Sequence, residues 1–379
     1  MKIVIAPDSF KGSLTAQEAA QAIRTGVLDA IPDAECVIVP MADGGEGTVR
    51  SLVDATGGTL VTTSVTGPLG RPVSAHYGLL GDGHTAVIEM SAASGIQYVN
   101  AATRDPLTTT TYGTGELILD ALDRGVDALI VGLGGSATND GGAGMAQALG
   151  VSLRDADGRE LDRGGAALQA LDRIDVTRLD PRLHHCTITL ASDVTNPLVG
   201  PEGSSHVFGP QKGATPAMVE RLDAALAHYA DVIHDQLDRD VAHTPGAGAA
   251  GGLGAGFLAF TRATMSSGVG VVVEATRLRE QARGADYCIT GEGGIDAQTR
   301  FGKTPMGTAQ AVKEVAPGCI VVALAGFIGE GIASLREVGI DAVLGILPGV
   351  CTLDEALDPA RAKENLTRTA CNVARLFRS

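Results

Sequence analysis

From the first residues, the hydrophobic positions repeat in the order strand, turn, helix. Lys2–Ala6 is a short β-branched run stopped by Pro7, which fits a strand buried on both faces. Pro7–Gly12 reads as a turn, and Ser13-Leu-Thr-Ala-Gln-Glu18 opens an amphipathic helix that runs to about Leu28. A second strand is predicted at Cys36–Pro40, after which Asp43-Gly-Gly-Glu-Gly-Thr48 leads into a helix closed by Gly57-Gly58. The same alternation returns near the C-terminus. There Tyr287–Thr290, Ile320–Leu324 and Val343–Leu347 are short apolar runs, each followed by Gly and a helical stretch. Five parallel strands alternating with helices predict a doubly wound, flavodoxin-like α/β sheet.

Between these ends the texture changes. Residues 60–90 alternate polar and apolar positions, with turns at Gly67-Pro-Leu-Gly70 and Gly81-Asp-Gly83, and so predict an antiparallel meander. A helix at 113–124, a strand at Ala128–Val131, a Gly-rich turn, a helix near 141–149, a strand at Thr187–Ala191 and a helix at Pro216–Val241 follow. Two dissimilar α/β domains are therefore expected. The doubly wound parallel-sheet domain takes residues 1–60 plus 284–379, and a mixed-sheet α/β domain is inserted at 61–283.

Composition narrows the function. The 379 residues carry 29 Lys and Arg against 44 Asp and Glu, a net charge of −15. Such a surface repels nucleic-acid backbones and anionic membranes, and aromatics, at 3% with no Trp, are too few for base-stacking platforms. No nucleic-acid or membrane partner is expected. An anionic small ligand would need a locally positive site made of backbone N–H groups and a few lysines. The six cysteines are dispersed without a CxxC pair, several inside apolar runs, as expected of reduced thiols. The N-terminal apolar stretch is too short for a signal peptide, and no run approaches the ~20 residues of a membrane helix. A cytoplasmic protein is expected. Glycine supplies 51 positions, well above the usual share of about 7%, and the excess gathers after strands.

In an open α/β sheet, ligands bind beyond the carboxyl ends of the strands. Five such ends carry carboxylates beside Gly, Asn or Lys: Asp8-Ser9-Phe10-Lys11, Asp43-Gly44-Gly45-Glu46, Gly132–Gly144, Ser192-Asp193-Val-Thr-Asn196 and Gly291-Glu292-Gly-Gly, with Gly302-Lys303-Thr304-Pro305 beyond the last. A single Asp after a strand is commonly a helix cap, but five suit phosphoryl transfer. That chemistry needs N–H cradles and lysines for phosphates, carboxylates for Mg²⁺, and a carboxylate near the attacking hydroxyl. Gly132–Gly144 fits the cradle best, with the following helix N-terminus expected to add its dipole. Lone motifs are weaker. Gly132-x-Gly134-x-x-Ala137 matches a dinucleotide fingerprint but lacks its acidic partner, and keeps open a nucleotide-dependent oxidoreductase of a small hydroxy acid. Gly302-Lys303-Thr304 resembles the end of a P-loop without the first Gly, and Thr304-Pro305 reads equally as a helix cap and first helical residue. A non-catalytic sugar-acid binding protein is the other alternative. Lys212, in Phe208-Gly-Pro-Gln-Lys-Gly213, stands in a Gly/Pro turn and is either an anion contact or a solvated lysine.

Seven ordered segments together resemble the bacterial glycerate kinase family, glycerate 2-kinase type. They are Ala6–Leu14, Pro40–Thr48, Gly132–Gly144, Ser192–Leu198, Val207–Ala214, Pro245–Gly254 and Thr290-Gly-Glu-Gly293, spread over essentially the whole chain. The resemblance implies ATP- and Mg²⁺-dependent phosphorylation of D-glycerate to 2-phosphoglycerate, in glycolate/glyoxylate or sugar-acid breakdown. It also implies two dissimilar α/β domains with the active site in the cleft between them. A homo-oligomer is left open. Individual roles come from chemistry. Asp193 is the candidate base and Lys11 the second catalytic group. Ser9, Lys212, Asn196 and Gln211 are substrate contacts, with Asn196 helping to orient the hydroxyl. Gly134, Gly135, Ser136 and Thr138 are candidates to cradle nucleotide phosphates, and Asp8, Asp43 and Glu292 to hold Mg²⁺.

Overall fold

The computed structural model describes residues 1–377, which divide into two compact units. Residues 1–58 join those from Ser267 onward, and Thr59–Ser266 form the second unit. The insertion thus closes at Ser266 and not near 283. Residues 267–283 carry the helices Gly268–Ala275 and Leu278–Gln281, which pack on the helix Thr304–Val315 of the first unit. Gly307 permits that approach, since a Cβ there would stand 2.4 Å from Val269.

The first unit is built on a five-stranded, wholly parallel sheet. Its order is Ala342–Gly345, Ile320–Ile328, Tyr287–Ile295, Lys2–Ile5 and Glu35–Ile38, the flavodoxin-like order 2-1-3-4-5 reversed. The central strands are apolar and buried over most of their length, whereas the edge strands Glu35–Ile38 and Ala342–Gly345 are only partly covered. Helices pack on the sheet. Ala16–Ala30 packs against Pro359–Leu376, and Gly26 brings the pair close, a Cβ there falling 2.1 Å from the Thr367 carbonyl. The cap of the first helix is Thr15, closed by a capping box with Glu18, two residues later than Ser13 suggested. The strand order reverses between Lys2–Ile5 and Tyr287–Ile295, so the crevice rule points to the ends of these two strands.

The second unit holds a six-stranded mixed sheet in the order Thr264–Ser266, Thr187–Ala191, Ala128–Gly132, Thr85–Glu89, Pro72–Leu79, Thr59–Thr66. The last two pairings are the antiparallel meander and the others are parallel. The helix from Pro216 stops at Leu237, short of Val241, because Asp238 turns into the left-handed region (φ 53°), where Asp is tolerated better than most residues. The Gly-rich stretch 246–254 belongs largely to a buried helix, Ala249–Phe260, broken by left-handed residues at Ala250, Gly251 and Gly252. Among the described residues all six cysteines are free, and no helix is long and apolar enough to cross a membrane.

Candidate active site

At the switch point of the first sheet, Asp8 follows the first strand and Glu292 lies in its neighbour. The two strand ends are tied together by Ala6 N–H to the Ile289 carbonyl and Asp8 N–H to the Gly291 carbonyl, both 2.8 Å. Asp8 is buried. Its carboxylate accepts from the Thr304 hydroxyl and the Ser9 N–H, each at 2.5 Å. Burial pushes its pKa up to about 6, against those hydrogen bonds and with the help of neighbouring Asp43. Asp43 closes its own turn by accepting from Gly45 N–H at 3.0 Å, and Lys11 Nζ stands 4.0 Å from it at the tip of the Phe10–Leu14 turn. Glu292 meets Lys303 Nζ at 3.4 Å. Burial raises its pKa to about 7, Lys303 opposing and Asp8 and Asp43 adding to the rise. Asp8, Ser9, Lys11, Asp43, Glu292 and Lys303 all line one cavity of about 580 Å³.

Three mutually repelling carboxylates on one wall are hard oxygen donors that a divalent cation would relieve, so Asp8, Asp43 and Glu292 fit Mg²⁺ chemically. Among the described residues no three His, Cys, Asp or Glu side chains already form a ligand set.

The second unit places its candidates around a cavity of about 500 Å³, lined by Gly134, Gly135, Ser136, Gln211 and Lys212. The glycine turn leaves the strand Ala128–Gly132 and is pinned by Ile96 N–H to the Gly135 carbonyl (2.9 Å) and Ala137 N–H to the Ser94 carbonyl (3.0 Å). Gly134 and Gly135 stay exposed. Lys212 is 1% exposed, donates from Nζ to the Thr138 carbonyl at 2.7 Å, and is pulled down to about 7 by burial, with Asp140 opposing. Burial excludes the solvated-lysine alternative for this residue.

Thr138 differs from its expectation. Its side chain is fully buried with Oγ1 lacking a partner, it does not line the cavity, and its carbonyl accepts from Lys212. The helix end after the turn differs too. Asp140 already occupies it, accepting from Gly142 and Gly144 N–H at 3.2 Å and from Thr111 N–H at 2.8 Å, so that terminus is closed to a phosphate. Gly141, Gly142 and Gly144 serve packing: Cβ atoms there would meet Tyr229, Gly256 and Thr110 at 3.0 Å or less. Asn196 donates its amide to the Glu202 carbonyl at 2.8 Å, a bond that holds its own loop. Asp193 is exposed on the loop after Thr187–Ala191, next to Val194, which lines the cavity.

Two residues were given no role by sequence reasoning. Lys303 caps the helix Thr304–Val315 and points Nζ at Glu292 and, at 3.2 Å, the Gly294 carbonyl. Thr304 is the first helical residue, and its hydroxyl goes to Asp8 instead of capping the helix. Gly-Lys-Thr at a helix start was the available signal. The dinucleotide spacing at Gly132–Ala137 opens no helix, since the next one begins at Ala143.

Lysines and carboxylates at the ends of a doubly wound sheet, and a second unit with a glycine-lined pocket around a buried lysine, define a phosphotransferase class of α/β protein. The glycerate kinase family model matches residues 3–378, and the chain belongs to that family. It is 52% identical over 374 residues to the Escherichia coli K12 protein named glycerate 2-kinase, covering 99% of this chain and 97% of that one. A glycerate kinase of Halalkalibacterium halodurans is 51% identical over 372 residues, 98% and 97% of the two chains. The crystal structure of a protein assigned as glycerate kinase 2 from Salmonella typhimurium LT2 superposes with a TM-score of 0.92 at 52% identity, covering 100% of this chain and 98% of the other.

Proposed function

We propose that this protein transfers the γ-phosphoryl group of ATP to the 2-hydroxyl of D-glycerate, giving 2-phospho-D-glycerate and ADP, in the breakdown of glycolate, glyoxylate or sugar acids. The observation that carries the reading is Lys212, a buried lysine on a glycine-lined cavity in a chain that aligns end to end with a glycerate 2-kinase. D-Glycerate is a small anion with few apolar atoms. Its carboxylate suits the Lys212 ammonium and the N–H groups of Gly134, Gly135 and Ser136, which share that cavity and are here assigned to glycerate in place of the nucleotide phosphates expected of them, with Gln211 hydrogen-bonding a hydroxyl. In the first unit, Lys11, Ser9 and Lys303 offer charge and hydrogen bonds to the phosphates of ATP.

In the transfer, the glycerate 2-hydroxyl oxygen bonds to the γ-phosphorus as the bond to the β,γ-bridging oxygen breaks. Asp193 accepts the hydroxyl proton, and ADP leaves with the former bridging oxygen. Asp8, Asp43 and Glu292 would hold Mg²⁺, which supplies neutralisation of phosphate charge when bound. Lysine charge near the transferring group stabilises it further, because a loose phosphoryl transition state spreads negative charge over its oxygens.

Purified protein with ATP, Mg²⁺ and D-glycerate, coupled directly to enolase, tests this. Enolase consumes 2-phosphoglycerate and leaves 3-phosphoglycerate untouched, so signal without an added mutase supports the 2-position. Turnover seen only after a mutase is added would move the reaction to the 3-hydroxyl, and no ADP release at all would overturn the kinase.

A further inference from the structure

The cavity of the first unit has a second wall that neither D-glycerate nor a phosphate explains. Beyond its ionic end it is lined by Phe327, Ile346, Leu347, Leu353 and Leu357. Phe327 is 67% exposed and Leu353 72% exposed, in a chain with seven phenylalanines and no tryptophan. Large apolar side chains held open at the mouth of a cavity mark a contact surface.

The sheet sets the spacing of the two ends. Asp8 follows one switch-point strand and Glu292 lies in the other, whereas Phe327 is near the end of the next strand outward, Ile320–Ile328, and Ile346 and Leu347 follow the edge strand Ala342–Gly345. Strands lie about 4.8 Å apart, so the apolar wall is centred on the order of 10 Å from the carboxylates. An occupant must therefore be apolar at one end and polyanionic at the other, with the two ends separated by roughly that distance. D-Glycerate has neither the apolar part nor the length. A nucleoside triphosphate has both.

We infer that this wall is the nucleoside subsite, where the adenine base of ATP packs between Phe327 and Leu353 with its phosphates directed toward Lys11 and Lys303. The base has a flat apolar face for Phe327, and the two lysines and Ser9 stand at the phosphate end. This assignment rests on the kinase reading and deepens it by naming the residues that select the co-substrate.

Because the chain lacks tryptophan, Phe327→Trp places a sole indole on the wall. ATP and ADP with Mg²⁺ should change its emission saturably, while D-glycerate and tripolyphosphate should not. Loss of base stacking should raise KM for ATP roughly 5- to 100-fold in Phe327→Ala, and Leu353→Asp should act in the same direction, both leaving KM for D-glycerate near wild type. Both side chains are mostly exposed, so the melting temperature should hold. Phe301→Ala, 73% exposed and outside the cavity, should change nothing. The assignment is overturned if wild type turns ATP over while neither substitution moves KM for ATP, or if tripolyphosphate alone reproduces the full emission change. If nucleotides change the indole emission of Phe327→Trp but wild type shows no transfer to D-glycerate, the subsite stands and the kinase reading fails.

Discussion

Burial in the second unit lowers the Lys212 ammonium from 10.5 to about 7, and this fixes how binding must respond to pH. At pH 8 a group titrating near 7 is about nine-tenths neutral in the free protein. A carboxylate arriving in the Gly134–Ser136 pocket favours the charged form and raises that pKa. Glycerate binding at pH 8 should then take up about 0.9 proton, against about 0.1 at pH 6. Apparent affinity should be flat below pH 7 and fall by up to about tenfold per pH unit above it, until the pKa of the complex is reached. Titration calorimetry at pH 8 in two buffers of different ionisation enthalpy reads the uptake directly. Lys212→Met should abolish it and weaken binding roughly 10- to 100-fold, as for a lost hydrogen bond to a charged group. Stability gives an independent sign. The unfolded chain holds this proton more tightly than the folded one, so the lysine costs most stability below pH 7 and the cost fades as pH rises toward 10.5. A fall from 10.5 to about 7 corresponds to about 5 kcal/mol, so Lys212→Met should melt above wild type at pH 6. A buffer-independent binding enthalpy at pH 8, or wild-type glycerate affinity in Lys212→Met, would refute the reasoning.

Three further outcomes follow from other parts of the two units. Asp193→Asn should lower kcat by about 10²- to 10⁴-fold while ATP binding, followed by calorimetry, stays near wild type; normal turnover would remove Asp193 from the proton step. Lys11→Ala should cut turnover without moving the melting temperature, since the Lys11 side chain is 66% exposed, and a lowered melting temperature with normal kcat would make the lysine structural. Gly251→Ala should destabilise by at least about 2 kcal/mol, because the residue sits at φ +73° and its Cβ would fall 1.9 Å from the Thr138 carbonyl. That carbonyl is the acceptor of Lys212, so glycerate affinity should drop with it; unchanged melting and affinity would contradict the packing.

The parallel sheet was legible because its five strands are short, mostly apolar runs closed by proline or glycine, a local signal that needs no partner. Ser13 and Val241 were misplaced as helix limits by local competition. Thr15 has Glu18 three residues on to complete a capping box, and Asp238 can take the left-handed turn that ends a helix. Of the candidates next to strand ends, Asp8, Ser9, Lys11, Asp43 and Glu292 line one cavity and Gly134, Gly135 and Ser136 the other, whereas Gln211 and Lys212 reach the second cavity from the turn Pro210–Lys212. What the chain could not disclose locally was which way each side chain turns. Thr138 and Asp140 stand among the cradle glycines, yet tertiary packing buries both, one to present a carbonyl and the other to close a helix end. Lys303 and Thr304 are 11 and 12 residues from Glu292 in sequence and reach Glu292 and Asp8 only because the helix they start returns to the sheet edge.

A chain of net charge −15 has to bind two anions, and its two units solve the problem differently. The first keeps its carboxylates in the cavity and sets Lys11 and Lys303 beside Asp43 and Glu292, so each lysine already faces an opposite charge. On the proposed reading, a polyphosphate there should need a cation to take over the carboxylates, so nucleotide affinity should rise with Mg²⁺. The second unit has a single buried carboxylate near its lysine, and Asp140 is fully engaged by backbone and hydroxyl donors. Burial lowers the Lys212 pKa and Asp140 only partly opposes it, a deficit of favourable charge that a ligand carboxylate would fill. A neutral polar ligand would leave the deficit in place, whereas a carboxylate removes it. The pocket consequently discriminates by charge before it discriminates by shape, and glyceramide, with the same hydroxyls and no carboxylate, should bind far more weakly than D-glycerate.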